Sequence, residues 1–105
     1  MSTTATPADQ ADKQQKIAAA DLGNALAVTA KYTDTPTLPA DIQNAGWACR
    51  LLLVGALTDS ALSSTAARQM VRVHLRELMH DDSKPRGVTG VYRHCLAGLD
   101  GRERG

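Results

Sequence analysis

The segment Trp47–Leu57 constrains the fold of this chain most strongly. It is the most apolar run of the sequence, and Arg50 is its only charged residue. Its eleven residues are too few to cross a bilayer, which takes about 20. When the run is extended back to Ala40 on a helix, apolar residues occur nearly all the way round. Such a helix is buried on most sides or forms an interface, and we place it at the centre of a soluble bundle.

The composition also favours helices. Hydrophobic residues make up 43% of the chain, but aromatic residues make up only 3%, and there is no Phe. The core must therefore be built from Ala, Leu and Val. Ala and Leu are strong helix formers, whereas strands are enriched in β-branched and aromatic residues. Because 105 residues suffice for one modest core, we predict an all-α, single-domain bundle of about four helices.

Segments rich in Pro, Thr, Ser and Asp separate the predicted helices. Two glycines, Gly90 and Gly98, weaken the last helix, because Gly is a poor helix former. The helices are predicted to cover about residues 8–32, 40–57, 65–80 and 88–99. The domain is then 7–99, preceded by a disordered N-terminus at 1–6, in which Thr6 is a candidate helix cap, and followed by a mobile tail at 100–105.

Two charged residues lie where the pattern predicts an apolar environment. Asp21 falls on the apolar side of the first helix, and Arg50 lies on the apolar second helix. A buried charge without a partner is strongly disfavoured. Arg50 must therefore form an ion pair, with Asp21 as one option, extend to the surface, or lie in an interface.

The two cysteines, Cys49 and Cys95, are far apart in sequence and form no CxxC motif. They are expected to be buried reduced thiols of a cytoplasmic protein, and a disulfide between two helices is the alternative. The first residues lack a basic stretch followed by an apolar one, so no secretory signal is expected.

The residues that carry chemistry in other proteins are not arranged for it here. Three histidines, Cys95 and two aspartates lie within residues 74–95, but without the paired spacing of zinc sites. His74 falls on an apolar helix side, which indicates a core or interface histidine. The sequence has no GxSxG elbow and no Gly-rich phosphate loop. We therefore expect no metal, no cofactor and no catalytic activity.

A basic stripe on the third helix is the strongest polar feature. Its residues recur every four positions, and residues 60–105 carry eight basic against five acidic residues. The stripe is either a solvated face or a surface that contacts phosphates or an acidic protein. With two further arginines nearby, the predicted partner-binding residues are Arg68, Arg72, Arg76, His80, Arg86 and Arg93.

Part of the same region resembles a known family. The segment Val71–Leu78 contains Val-x-x-His-Leu, and Leu57–Leu62 reads Leu-Thr-x-x-x-Leu. Both are similar to the helix-turn-helix of winged-helix bacterial regulators. The resemblance implies contacts of Arg68, Arg72 and Arg76 with duplex DNA. The chain departs from the family in its short middle helix, in lacking the tight Gly-containing turn, and in having no candidate wing strands.

These observations lead to a hypothesis about function. We expect a non-catalytic protein that binds another protein through an exposed helix face, such as a small bacterial or phage-encoded inhibitor or adaptor. The alternative is a DNA-binding regulator that uses helix 65–80 as its recognition helix. Such a regulator would form a homodimer through the apolar second helix. A third option is an oligomeric component of a small phage assembly.

Overall fold

The computed structural model of the protein describes residues 7–101, and within them it confirms the all-α bundle. Four helices form, with no strand in this part of the chain. The predicted disorder at 1–6, the Thr6 cap and the tail residues 102–105 lie outside the described residues. The helices are α1 (Pro7–Thr33), α2 (Ala40–Thr58), α3 (Ser64–Met79) and α4 (Arg86–Leu99).

The helix ends follow from local residue chemistry. Ser63 caps α3, because its hydroxyl accepts a hydrogen bond of 3.1 Å from the backbone N–H of Ala66. Pro39 and Pro85 directly precede α2 and α4. Helix α4 begins at Arg86, two residues before the predicted start, since Val88 N already donates to Pro85 O.

Helices α1 and α4 run antiparallel and approach each other closely. Gly98, late in α4, lies against Val28, while Tyr32, near the end of α1, contacts His94. A Cβ at position 98 would lie 2.9 Å from Val28 Cγ2 and 3.3 Å from Ala25 Cα. The glycine that weakens α4 as an isolated helix is therefore required for its packing against α1.

Helices α1 and α3 run in the same direction on the other side of the bundle. The backbone N–H of Thr65 donates to Gln15 Oε1 at 3.1 Å, and one to two turns further along, Arg68 pairs with Asp21. The polypeptide therefore alternates in direction from helix to helix, and each of the four helices contacts the other three.

The core is built from small and medium-sized apolar side chains. Cys49 and Cys95 lie within it and are both fully buried. No Phe is available, and the core aromatic is Tyr92, which is 7% exposed. The largest fully buried apolar side chains come from all four helices: Leu22, Leu53, Val71, Leu75, Val91 and Leu99.

Helix α2 contacts the three other helices, as every helix of this bundle does, so these contacts do not single it out as the central helix, and one of its sides is not covered. Its buried residues are small or aliphatic and include Ala45, Cys49, Leu53 and Ala56. Gly46 also lies on this side, where a Cβ would come within 2.5 Å of Tyr32 Cβ. The opposite side of α2 is exposed to solvent.

Candidate protein-binding surface

An apolar surface runs along the open side of α2. Trp47 is 44% exposed, Leu51 67%, Val54 39% and Leu57 42%. Because these residues are three or four positions apart, they follow one another along one side of the helix. We call these four residues the α2 face. Single exposed apolar residues are common, but a contiguous row of large ones is typical of a binding surface.

Arg50 lies at the edge of the α2 face and is half-buried. Its guanidinium lies 5.3 Å from the centroid of the Trp47 ring, and it donates a hydrogen bond of 3.3 Å to Thr33 Oγ1. The arginine therefore extends to the surface. The option that it pairs with Asp21 was wrong, because the carboxylate of Asp21 is held by Arg68.

The basic stripe is divided by two ion pairs. Arg68 contacts Asp21 of α1 at 2.8 Å, with side-chain exposures of 17% and 7%. Arg72 contacts Asp100 at 2.9 Å and also donates to Gln69 at 3.1 Å. Both arginines thus fold back onto the bundle and pair with carboxylates that are largely buried. Asp100, assigned to the tail from sequence, directly follows α4 and belongs to this network.

The remaining residues of the predicted partner-binding set lie on the surface. Arg76, His80, Arg86 and Arg93 are all exposed. Their role in binding stays a prediction. Arg68 is the least suited to partner binding, because moving its guanidinium to a partner would break its ion pair with the buried Asp21.

Helix α3 buries a narrower stripe than its sequence indicates. Ala67, Val71 and Leu75 are buried, each four residues from the last. Met70 and His74 are both exposed, although the pattern placed His74 on the apolar side. Of the core and interface roles expected for His74, the core role was wrong, because position 74 lies outside the row that α3 buries. The interface role stays a prediction.

The two cysteines contact each other inside the core. Both are free thiols, which agrees with the predicted reduced state. A hydrogen bond with the Cys95 thiol raises the pKa of Cys49 far above its ordinary value, and burial raises it further. Because the thiolate is the reactive form, Cys49 is not suited to act as a nucleophile.

A cavity of about 330 Å³ opens between the N-terminal ends of α2 and α4. Tyr92 is its most buried polar residue. Burial raises the pKa of the Tyr92 phenol, and the nearby Cys49 and Asp81 raise it further. The phenol therefore stays protonated at neutral pH and is not a general base. The residues around the cavity are Asp41, Asn44, Ala45, Lys84, Pro85, Val88 and Tyr92.

Among residues 7–101, no three His, Cys, Asp or Glu side chains lie close enough together to hold a metal ion. Nor does any helix in this range have the length and apolar character needed to span a membrane. Comparison with known proteins finds no matching family model, no matching curated protein and no matching solved structure.

Proposed function

We propose that this protein acts by binding another polypeptide chain through the α2 face. The observation that carries the proposal is the row of large apolar side chains that α2 holds open to solvent, with Leu51 at 67% exposure. Covering apolar surface stabilises a complex by about 25 cal/mol per Å² before the costs of association. Because the helix is already packed into the bundle, these side chains are presented without further ordering of the backbone.

The composition of the α2 face supports a protein partner. Trp47 provides a large anchor of the kind that is enriched at the energetic centres of protein interfaces. Its ring is held in place by the Arg50 guanidinium, which lowers the entropy lost on binding. Arginine at the edge of an apolar surface is also typical of protein interfaces.

The charges support an apolar partner surface rather than nucleic acid. No carboxylate lies on the α2 face, and the guanidinium at its edge is already engaged with Thr33 and Trp47. Binding there should change little with salt, whereas contacts to a phosphate backbone weaken steeply as salt rises. A protein of this size that binds through one helix face would act as an inhibitor or an adaptor of its partner.

The proposal is tested with the matched variants Leu51→Glu and Arg93→Glu. Each is immobilised beside the wild-type protein and exposed to extract of the source cells. A captured polypeptide is then purified and titrated while the emission of Trp47, the single tryptophan of the chain, is followed. We expect Leu51→Glu to weaken binding by about a hundredfold or more and Arg93→Glu to leave it unchanged.

The opposite pattern would contradict the proposal. If Arg93→Glu abolishes capture and Leu51→Glu does not, the partner binds the exposed basic residues instead. Binding of mixed-sequence duplex DNA that weakens steeply with salt and is lost in Arg76→Glu would favour the DNA-binding alternative.

A further inference from the structure

We infer that the partner on the α2 face is a second copy of this chain, bound antiparallel about a two-fold axis that passes beside Leu51. The inference rests on the proposed function, because it names the partner of the same surface. A two-fold interface places the same patch on both subunits, so the patch must be complementary to itself. Shape, hydrogen bonding, charge and area on the α2 face each bear on this requirement.

The shape of the α2 face fits such a pairing. In an antiparallel pair centred on Leu51, each residue 47 lies level with residue 55 of the other copy. Trp47 then projects toward four residues spaced as the hole of a helix–helix interface, at positions 51, 54, 55 and 58. Gly55 is one of the four residues that surround this hole. Trp47, the largest side chain of the face, therefore meets the residue that has no side chain.

Gly55 has no function in the packing of a single copy. A Cβ built at this position meets nothing within 4 Å, whereas Cβ atoms at Gly46 and Gly98 would collide with neighbouring helices. Gly23 and Gly90 are open in the same way, but of the three only Gly55 lies on the helix that carries the α2 face, where a missing side chain leaves room for the close approach of a group from outside. The indole of Trp47 of the partner subunit would make that approach.

The polar groups of the hole are already satisfied within one copy. The Thr58 hydroxyl donates a hydrogen bond of 2.8 Å to Val54 O. It can therefore be covered by an apolar ring without leaving an unpaired donor, which is the main cost of burying a hydroxyl group.

The charges are compatible with two identical faces. The face carries no carboxylate, so an acidic or basic partner would find no counter-charge among its four residues. Arg50, at the edge of the face, has its guanidinium over Trp47 of its own chain and bonded to Thr33. It is thus directed along α2 away from the two-fold axis, which separates the two guanidinium groups.

The area indicates a weak dimer. Standard interfaces bury about 800 Å² on each partner, and four partly exposed side chains supply less than that. We therefore expect a dimer that dissociates on dilution through the micromolar range and that is not weakened by added salt.

The experiment is analytical ultracentrifugation of the full chain over a dilution series, with Trp47 emission recorded on the same samples. The expected result is a monomer–dimer equilibrium, with emission moving to shorter wavelength as the dimer forms. Leu51→Glu should raise the dissociation constant by about a hundredfold or more. A wild-type protein that stays monomeric up to millimolar concentration overturns the inference.

The pairing of Trp47 with Gly55 has a sharper test. Gly55→Leu fills the hole, and its matched control Gly23→Leu adds the same side chain at an open helical position of α1. We expect Gly55→Leu to weaken the dimer by at least about tenfold and Gly23→Leu to leave it unchanged. The double variant Trp47→Ala with Gly55→Leu exchanges the large and small residues and should recover dimerisation relative to Gly55→Leu alone. No recovery overturns the antiparallel register. Circular dichroism of each variant confirms that it is folded.

The outcomes separate this inference from the proposed function. A monomeric wild-type protein that still captures a different polypeptide, with capture lost in Leu51→Glu, refutes the dimer and supports the function. If Leu51→Glu changes neither self-association nor capture, both are refuted.

Discussion

Helices α2 and α3 differ in which side chains they direct toward the bundle and which toward solvent. Helix α3 directs Arg68 and Arg72 back onto the bundle, where both pair with carboxylates. Helix α2 leaves Trp47 and Leu51 facing solvent. On α3, two of the arginines that were predicted to bind a partner form ion pairs within the bundle. On α2, large apolar residues of the kind found in protein cores are exposed to solvent. The proposed binding surface therefore rests on exposed apolar side chains and not on positive charge.

The difference has an energetic origin. A buried carboxylate without a counter-charge costs several kcal/mol, so the ion pair of Asp21 with Arg68 stabilises the contact between α1 and α3. An exposed leucine costs the fold little, because the unfolded chain exposes it as well. Exposure of the α2 face therefore costs the fold little stability, and its side chains can serve another purpose. Four predictions test this contrast, from the largest expected effect to the smallest.

Removing one member of the buried ion pair should have the largest effect. We expect Asp21→Leu to lower the free energy of unfolding by about 3–5 kcal/mol, because Arg68 is left buried without its carboxylate. Leu51→Glu, which adds a charge on the α2 face, should change it by less than about 0.5 kcal/mol. Urea unfolding of dilute protein measures both. Equal losses would mean that the two helices do not differ in this way.

Two leucines of α2 provide the next test. Leu53 is fully buried and Leu51 is 67% exposed, although they are two residues apart. Leu53→Ala should cost about 2–5 kcal/mol of stability, because it leaves a cavity in the core. Leu51→Ala should cost less than about 0.5 kcal/mol in the monomer. Thermal and urea unfolding compare the two, and a large loss in Leu51→Ala would place that side chain inside the fold.

Two glycines of α2 should respond with opposite signs. Gly46→Ala places a methyl group against Tyr32, so we expect a loss of about 1–3 kcal/mol from overpacking. Gly55→Ala meets open space, so the monomer should gain up to about 1 kcal/mol from helix propensity. The measurement is again the free energy of unfolding at low protein concentration. A loss of monomer stability in Gly55→Ala would show a contact within the chain at this position.

The buried thiol should make stability depend on pH. The pKa of Cys49 is raised above its ordinary value of 9.0 by Cys95 and by burial. Its contribution is therefore fully present below pH 9.0 and declines as the pH rises above it, because only the unfolded chain releases the proton. The decline attributable to one such group is at most about 1.4 kcal/mol per pH unit. Urea unfolding between pH 7 and 10 should show a steeper loss in the wild type than in Cys49→Ala, and parallel curves would contradict it.

Much of the fold is predictable from the sequence. The breakers around residues 34–39, 59–63 and 80–85 separate the helices because Pro, Ser and Asp act through local geometry. Helix limits agree with the prediction to within one or two residues. The start of α4 differs because Gly87 and Arg86 fit the first turn of a helix, where propensity matters least.

The candidate site was less predictable. The spacing of Arg68 and Arg72 gives a stripe on an isolated helix, but it contains no information about Asp21 and Asp100, which are remote in sequence. The apolar character of α2 was visible throughout, yet the sequence alone does not show which side of a uniformly apolar helix is left open.

The sequence by itself determined four helices, their limits and the presence of one helix with too much apolar surface. These properties depend on neighbouring residues in the chain, through propensity, capping and periodicity. The tertiary structure alone decided which charges are paired and which apolar residues face solvent, because both depend on how remote helices meet. The excess apolar surface of α2 is therefore a property of the sequence, and its location at Trp47, Leu51, Val54 and Leu57 is a property of the packing.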